Sequence, residues 1–248
     1  MDDRQAIELF HLLFLHAFGA RVDRALYVLK GGCNLRFYCR SIRYSEDLDL
    51  DVRTLSVATL RNNVERVLAG TALAQLLQTN GLALEGHSAP KQTATTQRWK
   101  LSVRRRDAAR PIPTKIEFSR RRLDQGAEIA PVDPAVLRRY RLYPVLVQHY
   151  GLTPAFAQKV AALAGRSETQ ARDVFDLKLL LDQGAAPGAG LGKLLPAAIE
   201  KAMSVGYDQF AGQVLAYLEP EYQDQYRARR IWESLQDEVV QRLEGLVS

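Results

Sequence analysis

Apolar residues near the start of the chain recur at helical spacing. Ile7, Phe10, Leu13 and Phe14 form one stripe and Gly19 ends it, which predicts a helix over 4–18. His11 and His16 fall on that helix as ordinary face residues. A short apolar run at 27–29 reads as a strand, followed by Gly31-Gly32 and a short helix over 34–38. The period then changes. Over 45–52, SEDLDLDV, acids and aliphatics alternate strictly, and a period of two is a strand. Leu48, Leu50 and Val52 share the face that needs burial, while Asp47, Asp49 and Asp51 share the other. Helical spacing returns at 57–69 and 72–79, and Gly81 and Gly86 flank a possible short strand. Residues 93–104 read as an extended strand. Residues 114–119 read as another, with Ile116 and Phe118 toward the core and Glu117 on the opposite face.

From residue 133 onward strand signals nearly stop, apart from one apolar piece at 143–149. Two prolines in the stretch 126–134 place a domain boundary near 125–135, giving domains 1–130 and 131–248. Thr153-Pro154 reads as an N-cap with proline at the first helical position, opening a helix with Phe156, Val160 and Leu163 on its stripe and Lys159 offset from it. Ser167 and Gln170 resemble a capping box for a helix over 168–182 that carries Arg172, Asp173 and Asp176. After a Gly- and Ala-rich linker at 184–192, helices are predicted at 193–203, 207–218 and 222–246. The fold class is therefore α+β: an N-terminal mixed sheet with flanking helices, then a C-terminal helical bundle.

The acidic face of 45–52 needs a physical reason. Carboxylates two residues apart on one strand face lie about 6–7 Å apart. At an effective dielectric near 20 they repel by roughly 2–3 kcal/mol. A solvated strand edge is the plain alternative; a divalent cation is the other, because Mg²⁺ takes carboxylate oxygens together with substrate phosphates. Gly31-Gly32 sits at a helix N-terminus beside Lys30, where free N–H groups and the helix dipole favour an anion. Glu117 is a candidate third carboxylate from a neighbouring strand, or else a surface glutamate paired with Lys115.

Composition narrows the choice. The chain has 248 residues, a net charge of +6 and a pI near 9.4, a balance that favours polyanionic partners. Arginines cluster at 104–110 and at Arg120, Arg121 and Arg122, flanking one hairpin. They could grip phosphates or form a solvated tip. Cys33 and Cys39 are too few for a disulfide scaffold and lack zinc spacing, as expected of reduced thiols in a cytoplasmic protein. The apolar run 12–20 is too short to span a bilayer, so no membrane segment is expected.

The strings LKGGCNL and Arg43-Tyr44-Ser45-Glu46-Asp47-Leu48-Asp49-Leu50, then KIEF, then a lysine helix and RDVFDL, resemble the AbiEii/AbiGii nucleotidyltransferase toxin family, within the polymerase-beta-like superfamily. The resemblance runs from about residue 4 to about 183. It implies that Asp47 and Asp49 hold Mg²⁺ on the triphosphate of an NTP. Glu117 takes the place of the third acid, as second metal ligand or as base. Gly31 and Gly32 let backbone approach the phosphates, with Lys30 beside them. Lys159 pairs with the triphosphate, and Arg43 and Ser45 contact phosphate or brace the loop. Asp173 and Asp176 match a helical R-D-x-x-D motif, with Arg172 as orienting partner; on residues alone, that helix reads as an ion-paired wet face. By the same resemblance the acceptor is RNA, the 3′ end of tRNA. The product blocks translation, and an antitoxin is the protein partner. Transfer to a protein hydroxyl and a non-catalytic RNA-binding module are the alternatives. Cys33 stands where the family has Ser or Thr, which implies weaker nucleotide binding, no side-chain role, or a reactive thiol at a helix start.

Overall fold

The computed structural model describes residues 1–120, 126–188 and 190–247. The chain forms two units: Met1–Tyr38 with Ser45–Tyr150, and Cys39–Tyr44 with Gly151–Ser248. Arg121 and Arg122 of the basic cluster lie outside the described residues.

The first unit opens with α1 (Asp3–Gly19), whose start is fixed by a capping box: Gln5 N–H donates to Asp2, and Asp2 N–H donates to the Gln5 side chain. Every residue from Ala6 to Leu15 is buried, so α1 is covered all round rather than along one stripe. It packs against the sheet and against α3 (Val57–Leu68) and α4 (Thr71–Thr79). Next come β1 (Tyr27–Lys30), α2 (Gly31–Tyr38) and β2 (Asp47–Val52). After α3 and α4 follow β3 (Leu82–Gln92), β4 (Thr96–Arg105), β5 (Ile112–Ser119), β6 (Ala127–Pro131), α5 (Pro134–Arg139) and β7 (Leu146–Tyr150).

These strands form one mixed sheet in the order β3-β4-β5-β2-β1-β7-β6. β2 runs antiparallel to β1 and parallel to β5. Leu48, Leu50 and Val52 are wholly buried with Ile116 and Phe118, as the alternation requires. Phe18 anchors the aromatic core, with ring centroids 4.9 Å from Tyr27 and 5.5 Å from Phe118.

The division falls after Tyr150, beyond the proline-rich stretch. β7 pairs in parallel with β1 through Leu29 and His149, and β6 completes the edge, so the sheet draws this segment into the first unit. β6 gave no strand signal because its five residues carry one aliphatic side chain longer than alanine, Ile129.

The second unit holds α6 (Leu152–Gly165), α7 (Ala171–Asp182), α8 (Leu195–Met203), α9 (Tyr207–Gln213), α10 (Pro220–Tyr226) and α11 (Arg229–Glu244). Its core includes Phe210 stacked on Trp232 at 4.6 Å. The cap of α6 is Gly151, not Thr153, because the helix begins two residues earlier, at Leu152. The cap of α7 is Gln170, and its first N–H, that of Ala171, is satisfied by the Gln213 side chain rather than by Ser167. The long helix expected over 222–246 is two helices, broken where Ala228 turns extended. The segment Cys39–Tyr44 joins this unit by backbone bonds, Tyr44 N–H to Tyr217 O at 2.9 Å and Glu219 N–H to Ile42 O at 2.9 Å. No helix among the described residues is long and apolar enough to cross a membrane.

Candidate active site

In the first unit the parallel register sets Asp47 opposite Lys115 and Asp49 opposite Glu117. Asp47, Asp49 and Glu117 therefore share the polar face of the sheet. The antiparallel register of β1 places Lys30 opposite Asp49 on the other side. The turn glycine comes close as well. Gly31 has φ +67°, and a Cβ there would stand 3.0 Å from Asp49 Oδ2. Gly31→Ala should cost roughly 1–2 kcal/mol of stability for the left-handed backbone. It should also push the Asp49 carboxylate aside and lower transfer at least about tenfold. Thermal melts with kcat/KM check both, and a fully active variant would exclude the close approach as a functional requirement.

The cations around these acids are already engaged. Lys115 pairs with Asp47 at 2.9 Å and Arg98 with Glu117 at 2.6 Å. Lys30 pairs with Asp51, which also accepts from Tyr150 Oη at 3.0 Å. Asp51 is thus a buried structural acid, although it shares its strand face with the other two. Asp49 alone has no ion pair or hydrogen bond among the described residues. Desolvation holds its carboxyl above the usual range, and the nearby Asp47 and Glu117 charges add to the rise. Lys115 and Lys30 oppose it.

The donor set suits Mg²⁺, a cation of oxygen ligands. Among the described residues no three acids, histidines or thiols stand close enough together to hold an ion. Asp47 is turned to Lys115 and Glu117 to Arg98, so a cation would compete with those two partners for them. Asp49 is the one of the three with no such partner among the described residues. The sequence offered Lys115 as the partner of Glu117; the structure gives Lys115 to Asp47 and pairs Glu117 with Arg98, a residue the sequence did not single out, although it sits on the polar face by the same alternation.

The brace behind the acids is buried. Ser45 Oγ donates to Asp47 O at 3.0 Å, so its hydroxyl is spent on the loop. Cys33 is buried at the start of α2, and burial pushes its thiol up, the opposite of the lowered value that a helix start suggests. His11 lies beneath it, and burial holds its ring down to about 3 from 6.5. The unfolded ring gains a proton below pH 6.5 and the folded one does not. Stability tied to His11 is then complete above pH 6.5 and falls as pH drops toward 3, by at most about 1.4 kcal/mol per pH unit. Urea midpoints at about pH 7.5 and about pH 5 should fall more steeply in wild type than in His11→Gln. Equal slopes would exclude His11 as the source.

The expected basic grip on the hairpin is mostly engaged too. Arg104 pairs with Glu85, Arg105 with Asp3 and Asp107, and Arg120 folds onto Leu55 O and Gln97.

In the second unit the other predicted residues form one buried ion network. Asp173 and Asp176 are fully buried on α7. Lys159 contacts Asp173 at 3.0 Å and Asp176 at 2.6 Å. Arg43 reaches Asp176 Oδ2 at 3.0 Å, and Arg166 reaches Asp173 Oδ2 at 2.7 Å. Burial pushes Asp176 up, but Arg43 and Lys159 outweigh it and hold its carboxyl low. The same two acids overcome the desolvation of Lys159 and hold its ammonium high. A wet-face ion pair is therefore not what this helix carries. Arg172 is half-buried and takes no partner among the described residues. Arg166, which the sequence did not single out, completes the network.

The chain matches the family model described as nucleotidyl transferase AbiEii toxin, type IV toxin–antitoxin system, over residues 13–243. No curated protein matches it. Among solved structures it resembles JHP933 from Helicobacter pylori, at 18% identity and a TM-score of 0.62, covering 99% of this chain and 95% of that one. It also resembles MenT4, a nucleotidyltransferase toxin from Mycobacterium tuberculosis H37Rv, at 17% identity and a TM-score of 0.58, covering 98% and 92%. At those identities the likeness is one of fold. The family match spans nearly the whole chain, and the sheet it covers aligns Asp47, Asp49 and Glu117 on one face. The protein is accordingly a member of the AbiEii family, the nucleotidyltransferase toxins of type IV toxin–antitoxin systems.

Proposed function

We propose that this enzyme is Mg²⁺-dependent and transfers nucleotides from an NTP to RNA, at the 3′ acceptor end of tRNA, so that translation is blocked. The observation that carries the site is Asp49: a carboxylate without a partner among the described residues, on the same sheet face as Asp47 and Glu117 and backed by a left-handed glycine. Asp47 and Asp49 would hold Mg²⁺, with Glu117 as further ligand or as base for the incoming hydroxyl. When bound, the ion would neutralise phosphate charge and stabilise the pyrophosphate leaving group. The chain's own residues do the positioning. Gly31 and Gly32 bring N–H groups to the phosphates at the start of α2. Ser45 fixes the loop that carries Asp47. In the second unit Lys159, Arg43 and Arg166 converge on Asp173 and Asp176, three cations on two acids, with Arg172 on the same helix as those acids.

Charge supports an RNA acceptor. The first unit carries 22 lysines and arginines against 15 acids, whereas the second carries 12 against 13, so the positive excess resides with the acid-bearing sheet. The expected setting is the cytoplasm, with an antitoxin as protein partner. The test is incubation with each labelled NTP, Mg²⁺, total RNA and total protein. Label at the tRNA 3′ end supports the proposal. Label in a protein band would replace it with transfer to a protein hydroxyl, and no label in either would remove the acceptor assignment.

A further inference from the structure

We propose that His11, Cys33 and Thr114 form a proton-ordered brace that positions the strand carrying Asp47 and Asp49, and that the Cys33 thiol serves this brace instead of substrate. The positioning claim rests on the reading of those two acids given above; the brace itself does not.

The direction of the chain follows from which atoms can donate. Thr114 Oγ lies 2.7 Å from Glu46 O, the distance of a good O–H donor, and a carbonyl can only accept. The Thr114 hydroxyl proton is therefore committed to Glu46 O. His11 Nε2 lies 2.9 Å from the same Oγ, so it must be the donor and carries the ring proton. In the neutral ring Nδ1 is then a bare acceptor. Its neighbour is Cys33 Sγ at 3.5 Å. That sulfur is also placed to donate to Asp47 O at 3.3 Å, but that carbonyl is already satisfied by the Ser45 hydroxyl, whereas His11 Nδ1 has no other donor among the described residues. Donating to His11 satisfies a buried nitrogen that would otherwise be left unpaired, a costly state. The order is thus Cys33 S–H to His11 Nδ1, His11 Nε2–H to Thr114, and Thr114 O–H to Glu46 O.

All three side chains are buried: His11 is 0% exposed, Cys33 2% and Thr114 6%. The brace links α1, α2 and β5 to the backbone of Glu46 and Asp47, the point where the acid strand begins. A thiol turned inward to His11 does not reach for phosphate, which accounts for a cysteine where the resemblance leads one to expect a hydroxyl. The weaker donor suffices because its acceptor is a nearby nitrogen in a dry site.

Nitrogen NMR of histidine-labelled protein reads the tautomer directly, and Mn²⁺ binding followed by electron paramagnetic resonance, without nucleotide, reads the positioning. The expected spectrum has a neutral His11 with its proton on Nε2. Thr114→Val, which keeps the shape and removes the hydroxyl, should weaken Mn²⁺ binding roughly tenfold, as losses behind metal ligands do. Thr114→Ser should restore it. Leu77→Ala, a core truncation on α4, should lower the melting temperature without moving Mn²⁺ affinity. A proton on Nδ1, or Mn²⁺ binding by Thr114→Val equal to wild type, would overturn the proposal. Equal weakening by Leu77→Ala would reduce the brace to general stability and overturn the positioning role. Wild-type protein that binds no Mn²⁺ would overturn the metal reading of the acids and that role with it, while the tautomer would still decide whether the brace exists.

Discussion

Asp49→Asn is expected to lower nucleotidyl transfer by at least about a thousandfold while leaving the protein as stable as before, or slightly more so. The loss follows from removing a charged oxygen ligand, since a bound metal supplies several kcal/mol of charge stabilisation and each 1.4 kcal/mol is about tenfold in rate. The stability follows from the surroundings. Among the described residues Asp49 has no ion pair to lose. Its folded pKa is raised above the unfolded one, first by desolvation and then by Asp47 and Glu117. A raised acid contributes stability below its unfolded pKa and loses it as pH rises through the folded value, so at neutral pH the charge is a burden that Asn relieves. Asp51→Asn is the contrast. It breaks the buried pair with Lys30 and disturbs the bond from Tyr150, so stability should fall clearly. Steady-state kinetics and thermal melts of the two variants measure this separation. Retained transfer by Asp49→Asn would remove Asp49 from the catalytic centre.

The largest expected loss of stability is at Asp176. Asp176→Ala strips the acid from two buried cations, Arg43 and Lys159, and should destabilise the protein by about 3–5 kcal/mol. For a chain of this size that is a fall in Tm of roughly 6–20 °C. The carboxyl is held low, so its stabilisation is present above the ordinary carboxylate range and is lost as pH falls through the lowered value. Lys178→Ala supplies the scale. Its pair with Asp182 is an i,i+4 contact with a partly exposed acid, worth less than about 1 kcal/mol. Similar losses for the two variants, by urea unfolding, would show that the α7 network is solvated rather than buried. Arg43→Lys should show a smaller loss of stability of the same kind, because it keeps the charge but gives up the fork that meets Asp176 with Nε and Nη2.

Much of the architecture was legible because local side-chain order encodes it. The alternation at 47–52 fixed both the strand and which face its leucines bury, and the stripes of α1, α3 and α4 marked those helices within a residue or two. Local signals failed where the chain finishes a distant element. β6 is short and poor in large apolar residues, yet it pairs with β7 from Ala127 to Pro131 because that edge was open. Capping was misread for α6 and α7, since a glycine backbone and the remote Gln213 did the work that Thr153 and Ser167 were expected to do.

By itself the sequence determined the α+β class, the acidic strand with its opposed aliphatic face, the glycine turn before α2, and family membership through the strings that carry them. Only the tertiary structure decided the fates of the individual charges. It gave Asp51 to Lys30 and Tyr150, left Asp49 without a partner among the described residues, set Cys33 against His11, and joined Arg43 to Asp176 across 133 residues of chain. Periodicity is written in neighbouring residues and can be read along the chain. The partner of a buried charge is set by strand register and packing between segments far apart in sequence, and those exist only once the chain has folded.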